Sequence, residues 1–455
     1  MAKKKKTNRR VLTRNIIIIC FSVVALLLTV FLSSKNKSIT SVSDREKMGI
    51  ENQNSRENMD PGSDTDASEV ASTEATTKFM NDDEIVLPGD KTKEEGSTEK
   101  DDKTDKGSDS EADKILADMS LEQKVYQMFM VTPETLTGVS VATVAGDATK
   151  QALTEKPVGG ILYMGRSLIN AEQTKEMLSN TQKFAKEVEG LPLFLSVDEE
   201  GGKVARIANT GEFGIDNVGP MKDIKDKDEA YKAGDTIGTY LKELGFNVDL
   251  APVADVLTNP NSTIIGDRSF GDDPKKVTEF AGAYSDGLHS HGILSVYKHF
   301  PGHGAVSGDT HNGYADVDKT YDDLKKSELI PYMSANEKGV EFIMVAHISL
   351  PSVTGDKKPC SLSKKVVTDI LRNDLEYEGI IITDSMVMKA ITNEYSAGDA
   401  AVLAVQAGND MILDPPDVKA AADGVIQAVK DGKISEDRID DSVRRIIEAK
   451  LKLKS

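Results

Sequence analysis

The chain has 455 residues, a formal net charge of −19, 38% hydrophobic residues, no Trp and two Cys. That length suits one large domain with appendages or two ordinary domains, and the acidic balance argues against nucleic acid as the main partner, because a phosphate backbone selects for clustered Lys and Arg. Cys20 sits in an apolar run far from Cys360, so the pair is no disulfide framework, and no Cys pair has metal-ligand spacing. Neither a metal nor a cofactor is expected.

Residues 1–14 carry seven positive charges and no acid. Ile16 to Leu32 follows as a continuous run of apolar or small residues, at the short end of what spans a bilayer. A buried core helix is the alternative, but such a helix rarely lacks a polar face or follows a basic cluster. The segment 15–33 is therefore expected to be a transmembrane signal anchor. The basic tail stays cytoplasmic, and the rest of the chain faces outward at the cell membrane. Leu32-Ser33-Ser34 is a poor signal-peptidase site, and Ile19 before Cys20 argues against lipidation, so the anchor is expected to be retained. From 34 to 112 the composition falls to Ser, Thr, Asp, Glu, Lys, Asn and Gly with isolated apolar residues. Such a segment buries too little apolar surface to offset its ordering entropy and reads as a disordered polar linker.

The folded part is expected over 113–455. Ser120-Leu-Glu-Gln123 is a capping-box pattern at the start of a short helix. A repeated grammar follows: an amphipathic helix, a Gly near its end, then a short apolar strand. It recurs at Thr236–Leu244, Gly245 and Phe246–Ala251; at Val277–Leu288, Gly292 and Ile293–Tyr297; and at Ala400–Ala407, Gly408 and Met411–Leu413. Eight strands are expected, around 127–131, 160–164, 193–197, 246–251, 294–297, 342–345, 380–382 and 411–413. Eight strand–helix units over this length predict an α/β fold, a single (β/α)8 TIM-like barrel, with a doubly wound open sheet as the alternative. The last helix is expected to begin at Ser435, with Ile439, Val443, Ile446, Ile447 and Leu451 on its apolar face.

In a parallel barrel, polar residues just past the strands' C-terminal ends share one mouth. This selects Asp198 after the third strand, Arg268 in the loop after the fourth, and Lys298, His299, His303, Asp309 and His311 after the fifth. His347 follows the sixth strand and Asp384 the seventh. Asp198 and Asp384 could equally cap helices, and a lone His is usually structural. Three of the six His, however, crowd between 299 and 311 in one Gly-rich loop. In an extended loop Asp309 and His311 point the same way. The carboxylate can then fix the imidazole's tautomer and make its other nitrogen a general acid and base. With Asp384 across the mouth as nucleophile, this is the layout of a retaining glycosidase, which normally uses two carboxylic acids. A His-rich metal hydrolase remains a rival on residue pattern alone.

At these residues the chain resembles the N-acetylglucosaminidase branch of glycoside hydrolase family 3. The match runs through Lys298-His-Phe-Pro-Gly-His-Gly304 with Asp309-Thr-His311, Ser196-Val-Asp198-Glu-Glu-Gly-Gly-Lys-Val-Ala-Arg206, Gly266-Asp-Arg268-Ser-Phe and Ile382-Thr-Asp384-Ser-Met. The resemblance implies Asp384 as the nucleophile that forms a glycosyl-enzyme, and His311 with Asp309 as the acid/base dyad. It implies Asp198, Arg268, Lys298 and His299 as the grip on the sugar hydroxyls and N-acetyl group. Arg206, His303 and His347 are supporting candidates. The implied activity is hydrolysis of terminal β-linked N-acetylglucosamine from peptidoglycan-derived or chitin-type oligosaccharides. The alternatives are a β-glucosidase of the same family, or a phosphorylase, since a His acid/base repels phosphate less than a second carboxylate would. A wall-binding module with a dead site is disfavoured, because Asp384, Asp309 and His311 are all present.

Overall fold

The computed structural model describes residues 110–306 and 315–453. The span expected at 15–33, nearly all of the linker expected at 34–112, and the Asp309–His311 dyad lie outside the described residues. No helix among the described residues is long and apolar enough to cross a membrane.

Ten strands occur among the described residues: β1 Phe129–Val131, β2 Gly160–Leu162, β3 Phe194–Val197, β4 Glu199–Gly201, β5 Val204–Ala205, β6 Val248–Asp249, β7 Leu294–Phe300, β8 Phe342–Val345, β9 Ile380–Thr383 and β10 Ile412–Leu413. Eight of them form one parallel sheet in the order β10-β1-β2-β3-β6-β7-β8-β9. Its two edges meet through a parallel bridge between Ile382 and Met411, so the sheet is a nearly closed barrel and not a doubly wound open sheet. The eight expected strands are all present, but several are shorter. The first begins at Phe129 because Gln127 ends the helix Leu121–Gln127, and the fourth keeps only Val248–Asp249. Absent from the sequence reading is the antiparallel hairpin β4–β5 directly after β3.

The helices follow from local chemistry. Ser120 caps its helix reciprocally with Gln123, as expected. Ser435 accepts from the Arg438 N–H, with Glu436 and Asp437 in the first turn, and Ile439, Val443, Ile446 and Ile447 are buried beneath. A further helix, Glu111–Asp118, is capped by Ser110 at the start of the described chain. The barrel interior is packed, not hollow: the rings of Phe194 on β3 and Phe342 on β8 meet edge to face at 5.2 Å.

Candidate active site

A cavity of about 480 Å³ opens at the C-terminal ends of the barrel strands, within the size range of small-molecule sites. Asp198, Arg206, Arg268, Lys298, His299, His303 and Asp384 all line it. So does Glu200, which sequence reasoning missed.

Strand alternation explains how the β3–β4 segment serves two masters. Asp198 and Glu200 face the cavity, while Glu199 between them turns into the protein. There its carboxylate accepts from the N–H groups of Ile207 at 2.8 Å and Ala208 at 2.9 Å, and from the Tyr240 hydroxyl at 2.9 Å. Glu199 thus pins the hairpin, and its two neighbours are presented to the mouth. The hairpin turn needs Gly201, whose φ is +91° and whose added Cβ would lie 2.8 Å from the Gly219 carbonyl oxygen.

Glu200 is the hub of the charge cluster. Arg268 grips it with two parallel bonds of 2.7 Å, and Lys298 Nζ lies 2.7 Å from the same carboxylate. Lys298 also reaches Asp198 at 2.9 Å, and Arg206 stands 3.6 Å from the other Asp198 oxygen. Burial alone would raise the Glu200 pKa, but Arg268 and Lys298 hold it well below the usual carboxylate range. Burial would likewise lower Lys298, yet Asp198 and Glu200 more than offset it and raise its pKa. The cluster is therefore charged and already ordered before any sugar arrives, which limits the ordering cost of binding.

Lys298 and His299 are consecutive, yet both face the cavity. The pairing of β7 with β8 slips between Lys298 and Phe300, and such an irregularity re-aims a side chain that plain alternation would turn away. Asp255, fully buried and also missed in the sequence, organises this loop. It accepts from His299 Nδ1 at 2.7 Å, the His299 N–H at 3.2 Å and the His303 N–H at 2.6 Å. The other ring nitrogen of His299, Nε2, lies 3.4 Å from Arg268 Nη2. Gly304 is required where the loop crosses the one before it, because an added Cβ would sit 2.0 Å from the Val256 carbonyl oxygen. Burial and the neighbouring His299 push the His303 imidazole down to about 4, so it is neutral at physiological pH.

Asp384 follows β9, and its Oδ1 accepts from the Ser385 N–H at 2.7 Å. Burial would raise its pKa. The imidazoles of His347 and His299, the Ser385 N–H and Lys298 outweigh that effect and keep it below the ordinary carboxylate range. It is an ionised carboxylate on the cavity wall, as a nucleophile must be. His347 is fully buried beside it, with Nδ1 2.7 Å from the Ser361 hydroxyl and Nε2 3.0 Å from the Ser385 carbonyl oxygen. Its ring is thus directed at the segment carrying Asp384, and it is not among the described residues lining the cavity. No group of three or more His, Cys, Asp or Glu among the described residues is arranged to hold a metal ion.

Comparison with known proteins agrees with this geometry. Residues 120–449 match the glycosyl hydrolase family 3 N-terminal domain. The chain is 38% identical over 268 residues to the beta-hexosaminidase LpqI of Mycobacterium tuberculosis, an alignment covering 56% of this chain and 67% of that protein. It superposes on a family 3 beta-N-acetylglucosaminidase from Paenibacillus sp. with a TM-score of 0.69 and 36% identity, covering 73% of this chain and 62% of that one. A family 3 member from Mycobacterium smegmatis gives a TM-score of 0.64 at 34% identity, covering 74% of this chain and 98% of its partner. The chain belongs to glycoside hydrolase family 3, in the N-acetylglucosaminidase branch of that family.

Proposed function

We propose that this protein is a retaining β-N-acetylglucosaminidase, held at the outer face of the cell membrane, that removes terminal β-linked N-acetylglucosamine from peptidoglycan-derived or chitin-type oligosaccharides. The observation that carries the reading is the ionised Asp384 set in one cavity with the Asp198–Lys298–Glu200–Arg268 cluster and His299. Carboxylates and fixed N–H donors in that arrangement suit a polyhydroxylated ring better than an apolar ligand. Asp384 attacks the anomeric carbon, forms a glycosyl-enzyme and is released by water. His311, partnered by Asp309, gives a proton to the leaving oxygen and then takes one from that water. The names of the relatives support the sugar, and the basic tail with the apolar run at 16–32 supports the anchor.

The reading is tested first on specificity. Aryl β-N-acetylglucosaminides should turn over at least about tenfold faster than matching β-glucosides, because a site built to hydrogen-bond a substituent is left with unpaired groups when it is missing. Equal rates would place the chain with the β-glucosidases. A sugar 1-phosphate formed in phosphate buffer would make it a phosphorylase. For the anchor, protease added to intact cells should release active enzyme by cutting between residues 35 and 112, and activity retained inside the cells would refute the placement.

A further inference from the structure

Asp414 closes the last barrel strand at the cavity rim. It is one of two non-glycine residues in the described chain with a positive φ, here +47°. A side chain in that conformation is strained by roughly 1 kcal/mol or more, and such strain persists where surrounding contacts over-determine it. Three contacts do so: the Asp414 N–H donates to the Met130 carbonyl oxygen at 2.7 Å, its Oδ2 accepts from the Ser385 hydroxyl at 3.2 Å, and the Thr132 N–H also bonds its carboxylate. The side chain is nine-tenths buried, at 9% exposure, yet lines the same cavity as Asp384.

Ser385 is held at three points. Its hydroxyl binds Asp414, its carbonyl oxygen accepts from His347 Nε2 at 3.0 Å, and its N–H donates to Asp384 Oδ1 at 2.7 Å. Two of these bonds come from the protein frame, one just after β10 and one after β8. The third is the bond that orients the attacking carboxylate.

We propose that Asp414 is a positioning residue for the nucleophile: through the Ser385 hydroxyl it fixes the Ser385 N–H, and so fixes the angle at which Asp384 meets the anomeric carbon. The proposal rests on Asp384 being the nucleophile. It explains why a strained aspartate stands at a strand end where glycine would be free of strain. The lost energy is recovered as a rigid attack geometry, to which rate is steeply sensitive.

The discriminating variant is Asp414→Gly, which deletes the carboxylate while removing the backbone strain, so the fold is kept. On an aryl β-N-acetylglucosaminide its kcat should fall roughly 10- to 100-fold with KM changed less than about threefold, since binding groups are untouched and only attack geometry is lost. Asp414→Asn keeps an acceptor oxygen and tolerates a left-handed backbone, so it should recover most of kcat. Ser385→Ala should cost about as much as Asp414→Gly, and the double variant no more than either alone, because both break one chain of contacts. Unchanged kcat in Asp414→Gly, failure of Asn to rescue it, or additive losses in the double variant would each overturn the proposal. Asp384→Asn separates this from the underlying reading: if that variant stays active, the nucleophile assignment fails. If it is dead while Asp414→Gly is unimpaired, only the positioning role fails.

Discussion

Both ends of the barrel bury a carboxylate under basic side chains, and only one end is a candidate active site. At the mouth, Glu200 is held by Arg268 and Lys298. At the opposite end, just before β10, Asp410 is held by Arg372 at 2.6 Å and Arg445 at 3.2 Å, with Arg438 at 3.9 Å and the Ser442 hydroxyl at 2.6 Å. At the same end Lys450, fully buried, donates to Gln127, which in turn donates to Glu189. Cavity size does not separate the two ends either. The larger hollow, about 900 Å³, lies at the N-terminal end among Lys186, Lys242 and Lys452, with no carboxylate among its described lining residues. What distinguishes the mouth is convergence. Its charges pair with each other and also line one space that holds an ionised carboxylate, whereas the arginines on Asp410 do not line the hollow near them. Buried charge marks a tie; buried charge facing a shared cavity marks a site.

The sharpest way to break that comparison is Asp384→Asn. It should lower kcat on aryl β-N-acetylglucosaminides by about 10⁴-fold or more, as loss of a covalent nucleophile does, with little change in thermal unfolding. Activity within tenfold of the parent would remove Asp384 from the chemistry and the mouth from its privileged place. Glu200→Gln comes next. It leaves Lys298 and Arg268 short of a counter-charge, so both readouts should move: about 10²-fold in kcat/KM and roughly 3 kcal/mol in stability by denaturant titration. Asp410→Asn should cost a similar roughly 3–5 kcal/mol in stability, because three arginines lose their partner, while the kcat of the folded fraction stays at the parent value. A stability loss without a rate loss at Glu200, or a rate loss at Asp410, would erase the distinction between the two ends.

Much of this layout was legible in the sequence, and the exceptions have a common cause. Several strands could be read because a short apolar run follows a glycine that closes the preceding helix; Gly245 and Gly408 do take left-handed conformations, at +100° and +118°. Asp198 and Asp384 could be placed because each directly follows a strand, whereas Lys298 and His299, expected just past a strand ending at residue 297, lie within β7, which runs on to Phe300. Glu200 was within reach, since two residues on from Asp198 it must share its face once the strand continues past the barrel. Asp255 was not. It lies beyond Ala251-Pro252, and its value comes from contact with a loop more than forty residues later, which no local pattern reports. Asp414, before two prolines, reads as an ordinary turn residue. His347 looked like a mouth residue by position, yet its ring is engaged by Ser361 and Ser385 behind the cavity wall, and position past a strand does not say which way a side chain turns.

The smallest effect expected is a difference in how the two ends respond to acid. At the mouth, burial and His299 push His303 down to about 4, against an unfolded value near 6.5. Between those values the unfolded chain binds a proton that the native state refuses. The stabilisation His303 carries is therefore complete above about pH 6.5 and is lost as pH falls through about 4, to a limit of roughly 3 kcal/mol. At the opposite end, burial raises Glu189 above the ordinary carboxylate range, partly opposed by Lys450. There the native state holds a proton that the unfolded chain has released, so just above the ordinary carboxylate range this group gains stability as pH falls. The two contributions have opposite slopes over much the same window and partly cancel in the parent protein. Substitution should expose each. Unfolding free energy measured from pH 4.5 to 7 should rise less steeply with pH in His303→Asn than in the parent, and more steeply in Glu189→Gln. If neither variant alters the slope, His303 and Glu189 titrate in the native state much as they do in the unfolded chain. If both alter it in the same direction, the two ends do not carry the opposed proton affinities assigned to them.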